Sequence, residues 1–287
     1  MPNIFYPKEF APLIALMRLN APTGYLLSFF PAAYGLILAS QTILDLFYLP
    51  LFFIGSILAR AAGCIVNDIF DKDFDKKVAR TKNRPLASGA ISVKTAIVIL
   101  LILLFCCLAI LLSLTNTAII VGFVAFFLII LYPLMKRITY FPQAFLGITF
   151  NAGALIGFAA VQDSISKDVI ILYIACGFWT MAYDTIYAFM DIKDDKKIGV
   201  KSTAIFFEHM QYKQIILTFY GVFILLHLLV FYKFGLKVFI VDAVCFLYCI
   251  WICATINIQN RKNCYRRFKA NNYIGLLLML PLVLEKL

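Results

Sequence analysis

Charged side chains are scarce in this sequence. Asp, Glu, Lys and Arg make up 14% of the 287 residues and 63% are hydrophobic, whereas an average soluble domain is about a quarter charged and about half apolar. This shortage excludes an ordinary soluble protein. Instead, apolar runs of about 20 residues, long enough to cross a bilayer as a helix, recur along the whole chain.

Histidine is almost absent, and cysteine occurs without a pairing motif. The two histidines, His209 and His227, are isolated in the sequence, which argues against a histidine-rich metal site. None of the eight cysteines forms a Cys-x-x-Cys pair, and we expect most of them to be small buried hydrophobic residues. Residues 1–21 also lack the apolar core and cleavage site of a signal peptide, so we expect no cleaved signal.

The apolar runs predict an all-α integral membrane protein that forms a single domain over residues 1–287. Barrel strands would show alternation over about 10 residues, which the runs lack, and helices satisfy their own backbone groups in lipid. Nine transmembrane helices are predicted, near residues 20–39, 48–66, 95–114, 116–134, 143–162, 168–190, 212–231, 237–257 and 271–286.

Lysine and arginine are distributed unevenly over the predicted loops. Of the 26 such residues, Arg60 falls inside a span and only Lys167, Lys233, Lys237 and Lys286 fall on one side of the membrane. Because Lys and Arg accumulate on the cytoplasmic side, we expect the amino terminus and the loops after spans two, four, six and eight to be cytoplasmic. The net charge of +11 suits contact with anionic lipid headgroups.

Two acid clusters lie at the ends of spans two and six. The first holds Asn67, Asp68, Asp71, Asp73 and Asp75, and the second holds Asp184, Asp191, Asp194 and Asp195. Residues four apart project from one face of a helix, and oxygen ligands suit a hard cation such as Mg²⁺, which takes one or two carboxylates plus substrate phosphates. An ionised Asp184 in an apolar run costs roughly 2.5–3.5 kcal/mol, so it is a functional-site candidate.

Basic residues follow each acid cluster, which indicates two pseudo-repeated helical units on one side of the membrane. The bases are Lys76, Lys77, Arg80, Lys82 and Arg84 after the first cluster, and Lys196, Lys197 and Lys201 after the second. Metal ions and cations of this kind stabilise a departing diphosphate. The alternatives are solvated stops between helices, and phosphatidyl-transferring enzymes, which also repeat Asp along a helix.

Three segments together resemble the UbiA prenyltransferase family, from about residue 17 to the end. They are Arg60-x-x-Gly63-x-x-x-Asn67-Asp68-x-x-Asp71-x-x-x-Asp75 with Arg80-Thr81-x-x-Arg84-Pro85-Leu86-x-Ser88-Gly89, then Tyr132-Pro133-x-x-Lys136-Arg137, and Tyr183-Asp184-Thr185-x-Tyr187-Ala188-x-x-Asp191-x-x-Asp194-Asp195 with Gly199-Val200-Lys201-Ser202-Thr203. Within the family the similarity is greatest to the branch that prenylates 4-hydroxybenzoate.

The resemblance implies nine helices around a central cavity in the bacterial inner membrane. It also implies a magnesium-dependent transfer of a polyprenyl group from polyprenyl diphosphate to the ring carbon ortho to the hydroxyl of 4-hydroxybenzoate, in ubiquinone synthesis, with no nucleic-acid partner. The candidate catalytic residues are Asp71, Asp191 and Arg60. The candidate metal ligands are Asn67, Asp68, Asp71, Asp75, Asp191 and Asp195. The candidate substrate-binding residues are Arg60, Arg80, Arg84, Tyr132, Lys136, Asp184, Tyr187 and Lys201.

Arg60 is the one charged residue within span two, two helical turns before Asn67 and on nearly the same face. A buried Arg needs an anionic partner, and its planar fork matches the acceptor's carboxylate. The alternative is an ion pair with Asp184. For the whole protein, the alternatives are a sister enzyme that accepts haem, a naphthoate or a chlorophyll precursor, and a metal-ion or anion transporter, which needs charged residues along a through-path.

Overall fold

The computed structural model describes residues 8–78 and 81–286, and every regular element in these two ranges is helical. Three short 3₁₀ turns, Lys8–Phe10, Ile43–Phe47 and Tyr232–Phe234, accompany the α-helices. In chain order the helices are α1 Ala11–Leu16, α2 Thr23–Ala39, α3 Tyr48–Phe70, α4 Lys72–Asp75, α5 Val93–Leu112, α6 Asn116–Ile138, α7 Pro142–Phe150, α8 Ala152–Gln162, α9 Lys167–Ala188, α10 Ile192–Ile198, α11 Thr203–Phe207, α12 Tyr212–Phe231, α13 Leu236–Thr255 and α14 Arg261–Leu284.

Seven helical segments of the described chain are long and apolar enough to cross a membrane. They are Ile43–Phe70, Val93–Leu112, Asn116–Ile138, Pro142–Gln162, Lys167–Ala188, Tyr212–Phe234 and Leu236–Thr255. Each coincides with one of the predicted spans. The remaining two predicted spans fall on α2, which is apolar but has only 17 residues, and on the second half of α14, whose first half is basic. The nine-span arrangement and the pseudo-repeat stay predictions.

The predicted span 143–162 is two helices, because Asn151 interrupts it between α7 and α8. The Asn151 amide donates to the carbonyl of Gly147 at 2.7 Å and to the hydroxyl of Thr180 on α9 at 2.9 Å. An amide side chain that takes up a backbone carbonyl competes with the helical hydrogen bond there. The sequence periodicity contains no signal for this competition.

Helices α2 and α8 pack so closely that glycine is needed at their crossing. A Cβ at Gly35 would lie 1.9 Å from the Ala154 carbonyl oxygen, and one at Gly157 would lie 2.2 Å from the Ala32 carbonyl oxygen. Small residues that bring backbones together are typical of helix interfaces in membranes. The crossing fixes α2 against the layer that also holds α7 and α9.

Helix α9 is held at the centre of the main hydrophobic core, and it leads into the second acid cluster. Its Trp179 is fully buried and stacks on Phe223 of α12 with ring centroids 5.0 Å apart. The Trp179 indole and the Tyr220 hydroxyl both donate to the Asn271 side-chain oxygen, at 2.8 and 3.0 Å. Buried donors satisfied in this way fix a unique packing, so α9, α12 and α14 form a rigid support for the site.

Candidate active site

The two acid clusters meet on one cavity at the end of the helices. The cavity has a volume of about 90 Å³ and is partly open to solvent. It is lined by Asn67, Asp71, Phe74, Asp75, Val78, Thr81, Arg84, Pro133, Lys136, Arg137, Asp191, Asp195, Ile198 and Val200. Residues more than 100 positions apart in the sequence therefore surround one volume.

Helix ends place the acids of each cluster. Helix α3 ends at Phe70, and the Asp71 amide still donates to the Asn67 carbonyl at 2.9 Å. Above this bond the Asn67 side-chain amide donates to the Asp71 carboxylate at 3.0 Å. On the other side Asp191 precedes α10, and the Asp195 amide donates to its carbonyl at 2.8 Å. Each pair thus keeps the four-residue spacing that aims its oxygens in one direction.

The cavity combines acids with cations. Burial raises the pKa of the Asp71 carboxyl above its usual value, and the nearby Lys136 ammonium opposes this rise. Arg84 and Arg137 also line the cavity, and the Arg137 guanidinium lies 5.4 Å from the centroid of the Phe74 ring. A site with both signs of charge accommodates a divalent cation and a polyanion together.

Asp68 and Asp75 form an ion-pair chain with arginines. Asp68 is buried and accepts hydrogen bonds from Arg18 to both of its oxygens, each at 2.8 Å. Arg84 donates to Asp68 at 3.1 Å and to Asp75 at 2.8 Å. Asp75 lines the cavity and Asp68 does not. Of the six candidate metal ligands, these two are therefore already engaged by cations.

Arg60 is close to aromatic rings and makes no hydrogen bond or ion pair with any described residue. Its guanidinium lies 5.2 Å from the centroid of the Phe150 ring, and its buried Nε has no partner. Gly24 leaves the space for it, because a Cβ there would lie 2.7 Å from that Nε. Among the described residues, no Arg60 nitrogen lies within 4.0 Å of an Asp184 carboxylate oxygen, which is the distance limit for an ion pair. Arg60 and Asp184 are therefore near each other without forming a direct ion pair.

Three other candidate residues surround Arg60. Tyr132, Tyr187 and Asp184 are all near enough to act on its charge electrostatically. Tyr132 precedes Lys136 by one turn of α6, and the ring of Tyr187 lies 4.8 Å from that of Phe268. The structure thus extends the polar site inward from the acid clusters toward Arg60.

Lys201, a candidate substrate-binding residue, does not line the cavity. The Lys201 ammonium donates to the Ile138 carbonyl at 3.1 Å, and its backbone amide donates to the Lys136 carbonyl at 2.8 Å. It therefore ties the chain after α10 to the end of α6. Arg80 lies outside the described residues. Sequence reasoning did not single out Arg137 and Thr81, although both stand inside the quoted motifs.

The donor set fits magnesium. Within residues 8–78 and 81–286, no three His, Cys, Asp or Glu side chains are grouped closely enough to form a complete metal site. Asn67 and Asp71 on one wall, with Asp191 and Asp195 on the other, provide oxygen donors only. Mg²⁺ is usually held in this way, by one or two carboxylates while water and substrate phosphates complete its shell.

The fold and the site define a multi-pass helical membrane protein whose two acid motifs share one cavity with a ring of cations. The chain belongs to the UbiA prenyltransferase family, whose model matches residues 28–275. The expected family resemblance is confirmed over most of the chain.

Two relatives named for prenyl transfer to 4-hydroxybenzoate support the same assignment. The chain is 40% identical, over 94% of its own length and 95% of the relative's, to the 4-hydroxybenzoate octaprenyltransferase of Francisella tularensis subsp. mediasiatica. It is also 40% identical to the mitochondrial 4-hydroxybenzoate polyprenyltransferase of Rattus norvegicus, over 98% of this chain and 76% of that one.

Solved structures share the fold. A UbiA homologue from Aeropyrum pernix superposes with a TM-score of 0.77 at 23% identity, covering 93% of this chain and 98% of that one. A UbiA homologue from Archaeoglobus fulgidus, solved with GPP and Mg²⁺ bound, gives a TM-score of 0.67 at 17% identity, covering 96% and 99%.

Proposed function

We propose that this protein transfers a polyprenyl group from polyprenyl diphosphate to the ring carbon ortho to the hydroxyl of 4-hydroxybenzoate, in ubiquinone synthesis. The observation that carries the proposal is the cavity on which both acid motifs and three cationic side chains converge. The curated relatives at 40% identity over nearly the full length of the chain are named for this reaction.

The diphosphate end of the donor lies in the cavity. Asn67, Asp71, Asp191 and Asp195 would hold Mg²⁺, which when bound neutralises phosphate oxygens and lowers the free energy of the departing diphosphate. Lys136, together with Arg84 and Arg137, stabilises the negative charge that develops as the carbon–oxygen bond breaks. Dispersing this charge in a partly buried site is worth more than it is in water.

The acceptor lies inward of the diphosphate. Arg60 binds its carboxylate through the two-pronged guanidinium, and the aromatic faces of Tyr132 and Tyr187 stabilise positive charge on the prenyl carbon. The new carbon–carbon bond forms at the ring carbon, and the proton lost there goes to Asp191. The donor's hydrocarbon tail remains among apolar side chains and lipid.

The membrane arrangement belongs to the same proposal. Helix α2 and the second half of α14 complete nine spans in a bacterial inner membrane, with the amino terminus and both acid motifs on the cytoplasmic side. The charge asymmetry of the loops supports this orientation. The cavity then opens to the compartment that contains both water-soluble Mg²⁺ and the acceptor.

Product identification tests the reaction. Purified protein is supplied with Mg²⁺, a prenyl diphosphate and one acceptor at a time: 4-hydroxybenzoate, a dihydroxynaphthoate or haem. Mass spectrometry is expected to show a ring-prenylated product from 4-hydroxybenzoate, with none when the metal is chelated. Prenylation of the naphthoate or haem alone would assign the chain to a sister activity. Undiminished product in chelator would contradict the magnesium part of the proposal.

A further inference from the structure

Arg18 adopts a backbone conformation that its side chain does not favour. It lies in the turn after α1 with φ +55°, a left-handed region that only a few per cent of non-glycine residues occupy. Such a residue persists where the surrounding structure holds it in place. The contacts of the Arg18 side chain explain why this conformation is held.

The Arg18 side chain reaches one carboxylate 50 residues away. Its Nη2 donates to both oxygens of Asp68 at 2.8 Å, while its Nη1 is anchored to the Ala15 carbonyl. The Asp68 side chain is only 2% exposed. A buried carboxylate needs compensation from cations, and Arg18 is one of two arginines that form an ion pair with Asp68.

The second arginine that contacts Asp68 is Arg84. Its Nη1 is shared between Asp68 at 3.1 Å and Asp75 at 2.8 Å, so this guanidinium bridges a buried acid and an acid of the cavity wall. The longer of the two bonds is the one to Asp68, whose two oxygens already accept hydrogen bonds from Arg18. If Arg18 were removed, Asp68 would be left undercompensated and would attract Arg84 away from the cavity.

We propose that Arg18 is a positioning residue that acts through Asp68 to hold Arg84 at the cavity wall, where it receives the donor's diphosphate. This inference rests on the proposed function, because it needs a polyanion in that cavity. It also assigns Asp68 a structural role, as the acid between two arginines rather than as a metal ligand.

Two variants separate the side chain from its backbone. Arg18→Asn keeps a residue that tolerates the left-handed turn and removes the guanidinium. Arg18→Lys keeps the charge but loses the second nitrogen, which anchors the guanidinium to the Ala15 carbonyl. Asn20→Ala is the matched control, since Asn20 is exposed in the same turn and makes no contact with the chain of ion pairs. Melting in detergent reports whether each variant is folded.

Kinetics with both substrates test the proposal. Arg18→Asn is expected to raise KM for the prenyl diphosphate about 3- to 30-fold, the range of coupling through a contiguous network, and to leave KM for 4-hydroxybenzoate unchanged. Arg18→Lys should lie between Arg18→Asn and wild type. Combined with Arg84→Ala, Arg18→Asn should add nothing further, whereas combined with Arg60→Ala its effect should multiply. Equal rises in both KM values, or full multiplication with Arg84→Ala, would show a merely structural role and overturn the proposal.

A binding measurement keeps this test separate from the reaction itself. Calorimetry with inorganic diphosphate and Mg²⁺ requires no acceptor and no turnover. Weaker binding by Arg18→Asn than by wild type and Asn20→Ala supports the positioning role even if 4-hydroxybenzoate is not the acceptor. Equal affinity in all three proteins, or no binding to wild type, refutes it.

Discussion

Replacing Arg60 by Met tests the acceptor site through kcat/KM for 4-hydroxybenzoate, which should fall, and through the melting temperature, which should not. Met is similar in length and removes the charge. The Arg60 guanidinium has no described hydrogen-bond or ion-pair partner, and its Nε is buried. In the proposed complex it gains a charge-assisted contact with the acceptor's carboxylate, worth roughly 1.5–3 kcal/mol. Losing that contact lowers kcat/KM for 4-hydroxybenzoate by about 10- to 150-fold.

The ligand-free protein should respond differently. Arg60 acts on the Asp184 charge electrostatically but makes no hydrogen bond or ion pair with a described residue. Its removal therefore breaks no direct contact and relieves the cost of a partly buried charge, so Arg60→Met is expected to melt in detergent at the same temperature as wild type or higher. If Arg60 were instead the ion-pair partner of Asp184, its removal would leave a buried carboxylate uncompensated and cost about 3–5 kcal/mol. The sign of the change in Tm therefore distinguishes the two interpretations.

The assay compares 4-hydroxybenzoate with its methyl ester, which has the same ring and no carboxylate charge. Wild type is expected to prefer the acid, and Arg60→Met is expected to treat both alike, with KM for the prenyl diphosphate unchanged. Arg60→Lys should keep part of the preference, because an ammonium is a point charge without the fork. A variant in which only the KM of the diphosphate rises would place Arg60 at the diphosphate and refute the reasoning.

Three further outcomes are expected. Asp71→Ala and Asp191→Ala should each abolish turnover while the protein remains folded, because each removes an oxygen donor from one wall of the cavity. A cysteine at Lys82 should be labelled only from the cytoplasmic side and one at Ile165 only from the opposite side, with native thiols blocked beforehand. Gly157→Ala should destabilise the fold by about 1–3 kcal/mol through overpacking, seen as a lower melting temperature, since its Cβ would lie 2.2 Å from a backbone oxygen of α2.

The acid variants and the glycine variant each have a matched control. Asp73→Ala removes an acid of the same cluster whose side chain is 86% exposed, and it should retain activity. Gly177→Ala adds a methyl group where no atom lies within 4 Å, so it should leave stability unchanged or raise it. Near wild-type turnover in both Asp71→Ala and Asp191→Ala would remove the two-walled metal site from the proposal. Labelling of position 82 from outside whole cells would reverse the orientation.

The sequence by itself determined the class of structure and the identity of the acid motifs. Continuous apolar runs without the alternation of barrel strands form helices in lipid, and seven of the predicted spans coincide with helices that are long and apolar enough to cross a membrane. The spacing of Asn67 from Asp71, and of Asp191 from Asp195, is a local property of a helical turn. For this reason both pairs and the family could be recognised without coordinates.

Only the tertiary structure decided which acids pair with arginines and which acids line the cavity. Asp68 and Asp71 look equivalent in the sequence, yet Asp68 accepts hydrogen bonds from Arg18 and Arg84 while Asp71 lines the cavity. The break at Asn151 and the aromatic contact of Arg60 were likewise settled by neighbours on other helices. Spacing fixes the helix face on which a side chain lies, but the partner it meets depends on packing between segments distant in the chain.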